Sequence, residues 1–374
     1  MDIIKQIINY KTPAYNWQER MRKTPQSPKY HGEGDVFTHT IKVVESLLSD
    51  DEYNSLDEND KRLLLYAAIL HDIAKPFCTK IEHGMISSPN HAVKGGIEVR
   101  WMLYRYGFMA DLLGDLTFFE RETVCALVRY HGLPLFFMNK RHLERDIYKA
   151  SLEVNLYHLS ILAKADVNGR ISNDHEGLME RIRLFRETCE EFGCLHKPKE
   201  FISRKSMVKY FSRSEQYLYY EPYANRPKVY LMSGLPASGK DTYIKENLSH
   251  MDLVSLDGIR ERLKVSPIEN QGKVVNEAKA MGKQFMAKDK EFVWNATNLT
   301  LTMRASLIDL FRQYDYEVSI IYCEVPFNLL LERNERRERP VTEQAIDRMV
   351  KTLDVPKTWE AEEIIYHVEG NREG

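Results

Sequence analysis

Apolar and polar positions in the first half of the chain recur at helical spacing. His39-Thr-Ile-Lys-Val-Val-Glu-Ser-Leu-Leu places its apolar residues three and four apart, and Lys61 to Ile73 is a second run with a nearly all-apolar middle. A third run begins at His91. A fourth ends at His131-Gly132, where glycine stops a helix and Pro134 follows. Lys149 to Ala165 is predicted as a fifth. Little alternates with period two, so residues 1–195 are expected to form an all-α domain. After Pro227 the pattern changes. Val229-Tyr-Leu-Met, Val254-Ser-Leu, Phe292-Val-Trp, Val318-Ser-Ile-Ile-Tyr-Cys and Ile364-Ile-Tyr-His-Val read as strands, most of them separated by helical patterns. That predicts βα units around a parallel sheet over 227–374. Residues 196–226, rich in Lys, Arg, Ser and Tyr, are expected to join the two domains.

A chain of 374 residues is long enough for two cores. With 43% hydrophobic and 29% charged residues it reads as an ordinary soluble protein, and a net charge of -2 supplies no global field toward nucleic acid. An enzyme gripping only a strand end would need few phosphate contacts. The five cysteines form no C-x-x-C pair, so buried thiols in a reducing cytosol are the simplest account. No apolar stretch approaches the roughly 20 residues that span a bilayer, and no signal-peptide core is evident. A cytoplasmic location without membrane contact is expected.

Four groups of ionisable residues stand out in the helical half: His39, the pair His71-Asp72, His91 with His131, and Asp166. His71-Asp72 follows a run that should be buried, where ionisable groups are costly unless paired or metal-bound. Imidazole with carboxylate suits a divalent cation such as Mn²⁺, Fe²⁺, Co²⁺, Ni²⁺ or Zn²⁺. Lys75, about one turn beyond His71, is either a donor to phosphoryl oxygens at that centre or a solvated lysine. His31, His83 and His142 fit no motif and are expected at the surface.

In the second half, Val229-Tyr-Leu-Met-Ser-Gly234-Leu-Pro-Ala-Ser238-Gly239-Lys240-Asp241-Thr242 is a strand, a G-x-x-x-x-G-K loop and a helix start. Its glycines let backbone N–H groups face phosphates, and Lys240 and the helix N-terminus add positive charge. Asp241 stands where Ser or Thr usually binds Mg²⁺, and a carboxylate also suits that ion. Asp257, in Val254-Ser-Leu-Asp257-Gly-Ile-Arg260, ends the second strand and is placed to accept the proton of an attacking hydroxyl; its alternative is a helix N-cap. Arg260 could hold an acceptor phosphate. Asn298 and Arg304 follow the third strand among small polar residues that could orient acceptor or nucleotide. Arg333, Arg336, Arg337 and Arg339 crowd one predicted helical stretch. They form either a lid over the transferring phosphoryl group or, with Glu332, Glu335 and Glu338, a salt-bridged exposed face.

The order Asp35-Val-Phe-Thr-His39, Ile-Leu-His71-Asp72-Ile-Ala-Lys75 and Ala-Asp166-Val-Asn-Gly-Arg170 resembles the H…HD…D signature of the HD phosphohydrolase superfamily. That resemblance implies one metal held by His39, His71, Asp72 and Asp166. In two-metal members further histidines lie where His91 and His131 fall, and Asp72 would then bridge. The C-terminal motifs are similar to polynucleotide 5′-hydroxyl kinases of bacteriophage and bacterial RNA repair. By that similarity Lys240, Asp257, Arg260 and Arg337 would carry phosphoryl transfer from ATP with Mg²⁺ or Mn²⁺, with Arg333 supporting. The fusion resembles the bacterial HD-Pnk family of RNA end-healing enzymes. It implies removal of a 2′,3′-cyclic or terminal phosphate, phosphorylation of a 5′-hydroxyl, RNA or DNA strand ends as partners, and cooperation with an RNA ligase. Two rivals stay open: a bifunctional enzyme of free nucleotides or another small metabolite, and a non-catalytic nucleotide sensor.

Overall fold

The computed structural model describes residues 3–11, 16–212, 226–265 and 271–370. They fall into two compact units, 1–200 and 201–374. In the first, polar side chains set where the helices begin. The Asp35 carboxylate accepts from Thr38 N at 2.9 Å and starts the helix Val36–Leu48; Asp57 does the same for Glu58–Leu70. Thr117 and Glu120 close a capping box at the head of Phe118–Tyr130. The helix His91–Tyr106 lies against Phe118–Tyr130, and Leu156–Asn168 lies against Val36–Leu48. Gly169 permits the second of these approaches. A methyl there would come within 2.7 Å of the Val43 side chain and 2.8 Å of its backbone nitrogen, so any larger residue would push Leu156–Asn168 away from Val36–Leu48.

One expectation for this unit needs correction. The run from Lys149 to Ala165 is two helices, Leu143–Ser151 and Leu156–Asn168. Asn155 breaks it, its side chain accepting from Tyr157 N (2.9 Å) and His158 N (3.2 Å), which is a cap rather than a helix interior. The unit is otherwise helical, as expected, with one short addition. Strands β1 (Lys80–Glu82) and β2 (Met85–Ser87) form a short antiparallel hairpin that turns through His83 and Gly84, both with positive φ. All five cysteines are buried and free of disulfides.

In the second unit, β3 (Lys228–Ser233), β4 (Asp252–Ser255), β5 (Phe292–Asn295), β6 (Glu317–Glu324) and β7 (Glu363–Val368) form one parallel sheet in the order β4-β5-β3-β6-β7. Both faces are covered, as parallel strands require. Val229, Leu231, Trp294, Phe311 and Ile320 pack on one side, and Met232, Ile244, Val293 and Ile321 on the other. Of the basic and aromatic run, Arg204–Ser212 is a helix, while Arg213, Tyr217, Tyr219 and Tyr220 lie outside the described residues. Among the described residues no helix is long and apolar enough to cross a membrane.

Candidate active sites

His39 sits near the start of Val36–Leu48, and His71 and His131 cap the C-termini of Glu58–Leu70 and Phe118–Tyr130. His91 opens its helix, and Asp166 lies in the last turn of Leu156–Asn168. These elements bring all six residues together. His39 Nε2 is 3.0 Å from Asp166 Oδ1 and 3.9 Å from Asp72 Oδ2; His71 Nε2 is 3.2 Å from Asp72 Oδ2. On the other side of the same carboxylate, His91 Nε2 is 3.3 Å from Asp72 Oδ1 and 3.2 Å from His131 Nε2. Asp72 therefore touches both halves of the cluster.

The donor set fits metal ions. His71 Nε2 and Asp72 Oδ1 are buried without a hydrogen-bond partner, a costly state unless a cation is shared between them. His91 and His131 face one another through Nε2 while each Nδ1 points at a main-chain carbonyl, Ser88 O at 2.8 Å and Val128 O at 2.7 Å. With Nδ1 donating, both Nε2 atoms present lone pairs, and two lone pairs at that separation call for a cation between them. Charge states agree. Burial, reinforced by the neighbouring His91 and His71, pushes His131 down to about 3, and burial also lowers His91. Burial alone would raise both carboxyls, but Lys75, His71 and His91 hold Asp72 well below its ordinary value, and Arg170, His39 and His71 do so for Asp166. Anionic carboxylates and neutral imidazoles are the forms that bind metal. His71 alone shifts the other way: burial lowers it, but Asp72, with Asp166, outweighs that burial and raises it, so a metal there would displace its proton.

Lys75 is not a solvated lysine. It is buried, with Nζ donating to Gln26 Oε1 at 2.6 Å and lying 2.7 Å from Asp72 Oδ2. The expectation that His31 lies at the surface also fails, because it packs edge-on against His39 and meets Glu33 at 2.9 Å. Glu33, Gln26 and Arg170, which pairs with both oxygens of Asp166 at 3.1 and 2.5 Å, complete the surroundings. Of these, Arg170 falls within the Asp166 motif, which assigns it no role. Gln26 and Glu33 sit on an irregular stretch with no periodicity to mark them.

In the second unit β3 runs into the loop 234–239 and the helix Lys240–Asn247. Gly234 has φ 143°, and a Cβ there would be 2.4 Å from Cys323 O, so only glycine fits. Lys240 Nζ lies over the loop, donating to Gly234 O at 3.0 Å and Leu235 O at 2.6 Å, and Ser238 Oγ is buried without a partner. Asp241 and Thr242 occupy the exposed first turn, where Asn295 Nδ2 donates to Asp241 Oδ1 at 2.7 Å. Asp257 is not the helix cap, because Ser255 caps Leu256–Leu263. Asp257 stands exposed in the first turn and pairs with Arg260.

Burial pushes the Lys240 ammonium down to about 8; the charges of Asp241 and Asp257 resist this, and Arg337 adds to it, so these four candidates share one electrostatic neighbourhood. Triphosphate binding favours the ammonium and raises that value. ATP affinity should therefore be full below about pH 8 and fall as pH rises through it, approaching about tenfold per unit. Calorimetric titration in buffers of different ionisation enthalpy would also show proton uptake on binding above that pH.

Three expectations change here. The four arginines do not share one helix. Phe327–Glu335 ends before Arg336, and Asn334 staples the following loop by pairing with Val341 N (3.0 Å) and O (2.7 Å). Among the described residues Glu332, Glu335 and Glu338 do not pair with these arginines. Arg333 pairs with Glu369 at 2.8 Å and lies beside Gly239, and Arg339 approaches Glu261 at 3.8 Å. Arg304 does not face an acceptor. It is fully buried, with Nε 2.7 Å from Glu360 Oε2 and further bonds to Asn298 O and Asp354 O. Asn298 is likewise internal, donating to Met232 O at 2.7 Å. Arg304→Ala would strand a buried Glu360 carboxylate and should cost about 3–5 kcal/mol. Chemical denaturation should register that loss, with little change in KM for the protein that remains folded.

The HD domain family matches residues 36–152, and a family described as an AAA domain matches residues 229–356. Over 136 residues the chain is 25% identical to the L-seryl-tRNA(Sec) kinase of Methanococcus maripaludis, covering 34% of this chain and 53% of that one. The chain thus spans about half the length of the curated relative it matches. A crystal structure of a kinase-like protein from Chloroflexus aurantiacus is similar with a TM-score of 0.33 and 13% identity, covering 38% of this chain and 89% of that one. A segment matching the HD domain family therefore precedes one matching the AAA domain family, within the first and second compact units respectively.

Proposed function

We propose that the chain heals broken RNA ends, clearing a 2′,3′-cyclic or terminal phosphate with its first unit and phosphorylating a 5′-hydroxyl with its second. The carrying observation is that one chain holds both a six-residue histidine and aspartate cluster bridged by Asp72 and a P-loop with Asp257 in its electrostatic neighbourhood. Cleavage of RNA through its 2′-oxygen leaves those two ends together, so the two chemistries serve one substrate. The curated relative's name describes a kinase whose hydroxyl acceptor is carried on a tRNA, which supports an RNA-linked acceptor. The sequence motifs add their similarity to polynucleotide 5′-kinases and to the HD-Pnk fusion.

In the first unit, His39, His71, Asp72 and Asp166 would hold one divalent ion, and His91, His131 and the shared Asp72 a second. Such ions lower the pKa of water and offset charge growing on phosphoryl oxygens. Lys75, whose Nζ lies 2.7 Å from Asp72 Oδ2, would supply a fixed positive charge to the substrate phosphate. In the second unit, the loop N–H groups and Lys240 would bind the triphosphate, with Asp241 or Thr242 placed for Mg²⁺. Asp257 would take the proton of the 5′-hydroxyl, Arg260 would orient that carboxylate, and Arg337 would neutralise charge on the transferring group. Arg333, next to Gly239, would exchange Glu369 for a phosphate.

The test offers an oligoribonucleotide with a 5′-hydroxyl and a 2′,3′-cyclic phosphate, ATP and Mn²⁺, and identifies both product ends by mass. A 5′-phosphate and a 3′-hydroxyl or 3′-phosphate are expected. Equal turnover of mononucleosides would transfer the reading to a small-metabolite enzyme, and the absence of any end modification would end it.

A further inference from the structure

We propose that Glu33 is a positioning residue that makes the His39 side of the cluster the tighter of two metal positions. The inference rests on reading His39, His71, Asp72 and Asp166 as ligands. All four imidazoles turn Nε2 toward Asp72, Asp166 or each other. Behind three of them, Nδ1 is held by a main-chain carbonyl three residues earlier: Ala68 O for His71 (2.8 Å), Ser88 O for His91 (2.8 Å) and Val128 O for His131 (2.7 Å). Helix ends make this possible. His71 and His131 use last-turn carbonyls that the helix leaves without partners, and His91 uses one that precedes its helix.

His39 has no such option. It lies within Val36–Leu48, and its Nδ1 must be held by a side chain. Glu33 Oε1 stands 2.9 Å away, obliquely to the ring N–H, and both side chains are fully buried. The same oxygen meets His31 Nδ1 at 2.9 Å. The other carboxylate oxygen accepts from Ile171 N at 2.9 Å, and Gly32 N donates to Ile171 O at 2.9 Å. One carboxylate thus ties His39 to the segment just beyond Asp166, the two ligands farthest apart in sequence.

A charged acceptor behind an imidazole differs from a carbonyl. Glu33 faces His39 Nδ1 as a close negative charge rather than through an aligned hydrogen bond, and a carboxylate behind a ligating histidine raises its basicity. The half containing His91 and His131 has only carbonyls behind its rings. The asymmetry predicts sequential rather than equivalent binding.

The experiment uses the full chain, stripped with chelator and titrated with Co²⁺, reading heat and visible absorption together. Wild type should bind two ions with unequal affinity. Glu33→Gln, which keeps the shape and removes the charge, should weaken the tighter ion by about ten- to a hundredfold. The weaker ion, the melting temperature of the metal-free protein and kinase activity should not change. Glu33→Asp, retaining the charge, should recover part of the lost affinity and of the wild-type Co²⁺ spectrum. Tight binding unchanged in Glu33→Gln, or a loss confined to the weaker ion, would overturn the role of Glu33. Wild type taking up no ion would instead overturn the metal reading itself.

Discussion

Under the proposed function, Asp72→Ala is expected to lower phosphate removal from a 2′,3′-cyclic phosphate end by at least about a thousandfold, the several kcal/mol a metal centre contributes, and to leave 5′-phosphorylation within about twofold of wild type. Among the described residues Asp72 is the one carboxylate that reaches both halves of the cluster, Oδ1 toward His91 at 3.3 Å and Oδ2 toward His71 at 3.2 Å. Losing any single histidine would leave either half with its shared anion, whereas losing Asp72 removes it from both. Lys75 would keep only Gln26 as a buried partner, so some stability will also be lost, and the melting temperature has to be read beside the rates. Kinase activity is the internal control, because every residue assigned to it lies in the second compact unit. A folded variant that lost both activities would show that the division of labour between the units is wrong.

What could be read from the sequence follows from what each motif depends on. The five strands of the sheet were legible as short apolar runs between helical patterns, and the P-loop because its turn is local: Gly234 and Gly239, between β3 and the helix Lys240–Asn247, take positive φ values of 143° and 96° that favour glycine. The metal-type cluster was legible because its members sit at helix ends or on buried faces, where an unpartnered charge is conspicuous. The parts that could not be read depend on tertiary partners. Arg304 looks like an acceptor residue until Glu360, 56 positions later, is found bonded to it. Asn298 looks like a ligand until Met232 O takes its amide. Lys149 to Ala165 looks continuous because Asn155 is tolerable in a helix pattern, and only its cap bonds show the break. Glu33 carries no local signal: its partners, His39 and Ile171, are set by the fold.

Asp257→Ala will lower phosphoryl transfer by about 10²–10⁴-fold, the range for losing a general base, while ATP binding and phosphate removal persist. The side chain stands at the mouth of the sheet, one residue into the helix that follows β4, and it is 76% exposed, so truncation should cost little stability. Its pairing with Arg260 holds the carboxylate in one orientation before the acceptor arrives, and Arg260→Ala should therefore raise KM as well as lower kcat. Lys240→Ala provides the contrast. Its ammonium bonds the loop carbonyls directly, and the variant should lose nucleotide affinity together with turnover. A nucleotide sensor would need Lys240 and ignore Asp257, whereas a kinase needs both. Equilibrium ATP binding and single-turnover transfer measured on the two variants separate these cases, and normal transfer by Asp257→Ala would remove the base and leave only the nucleotide site.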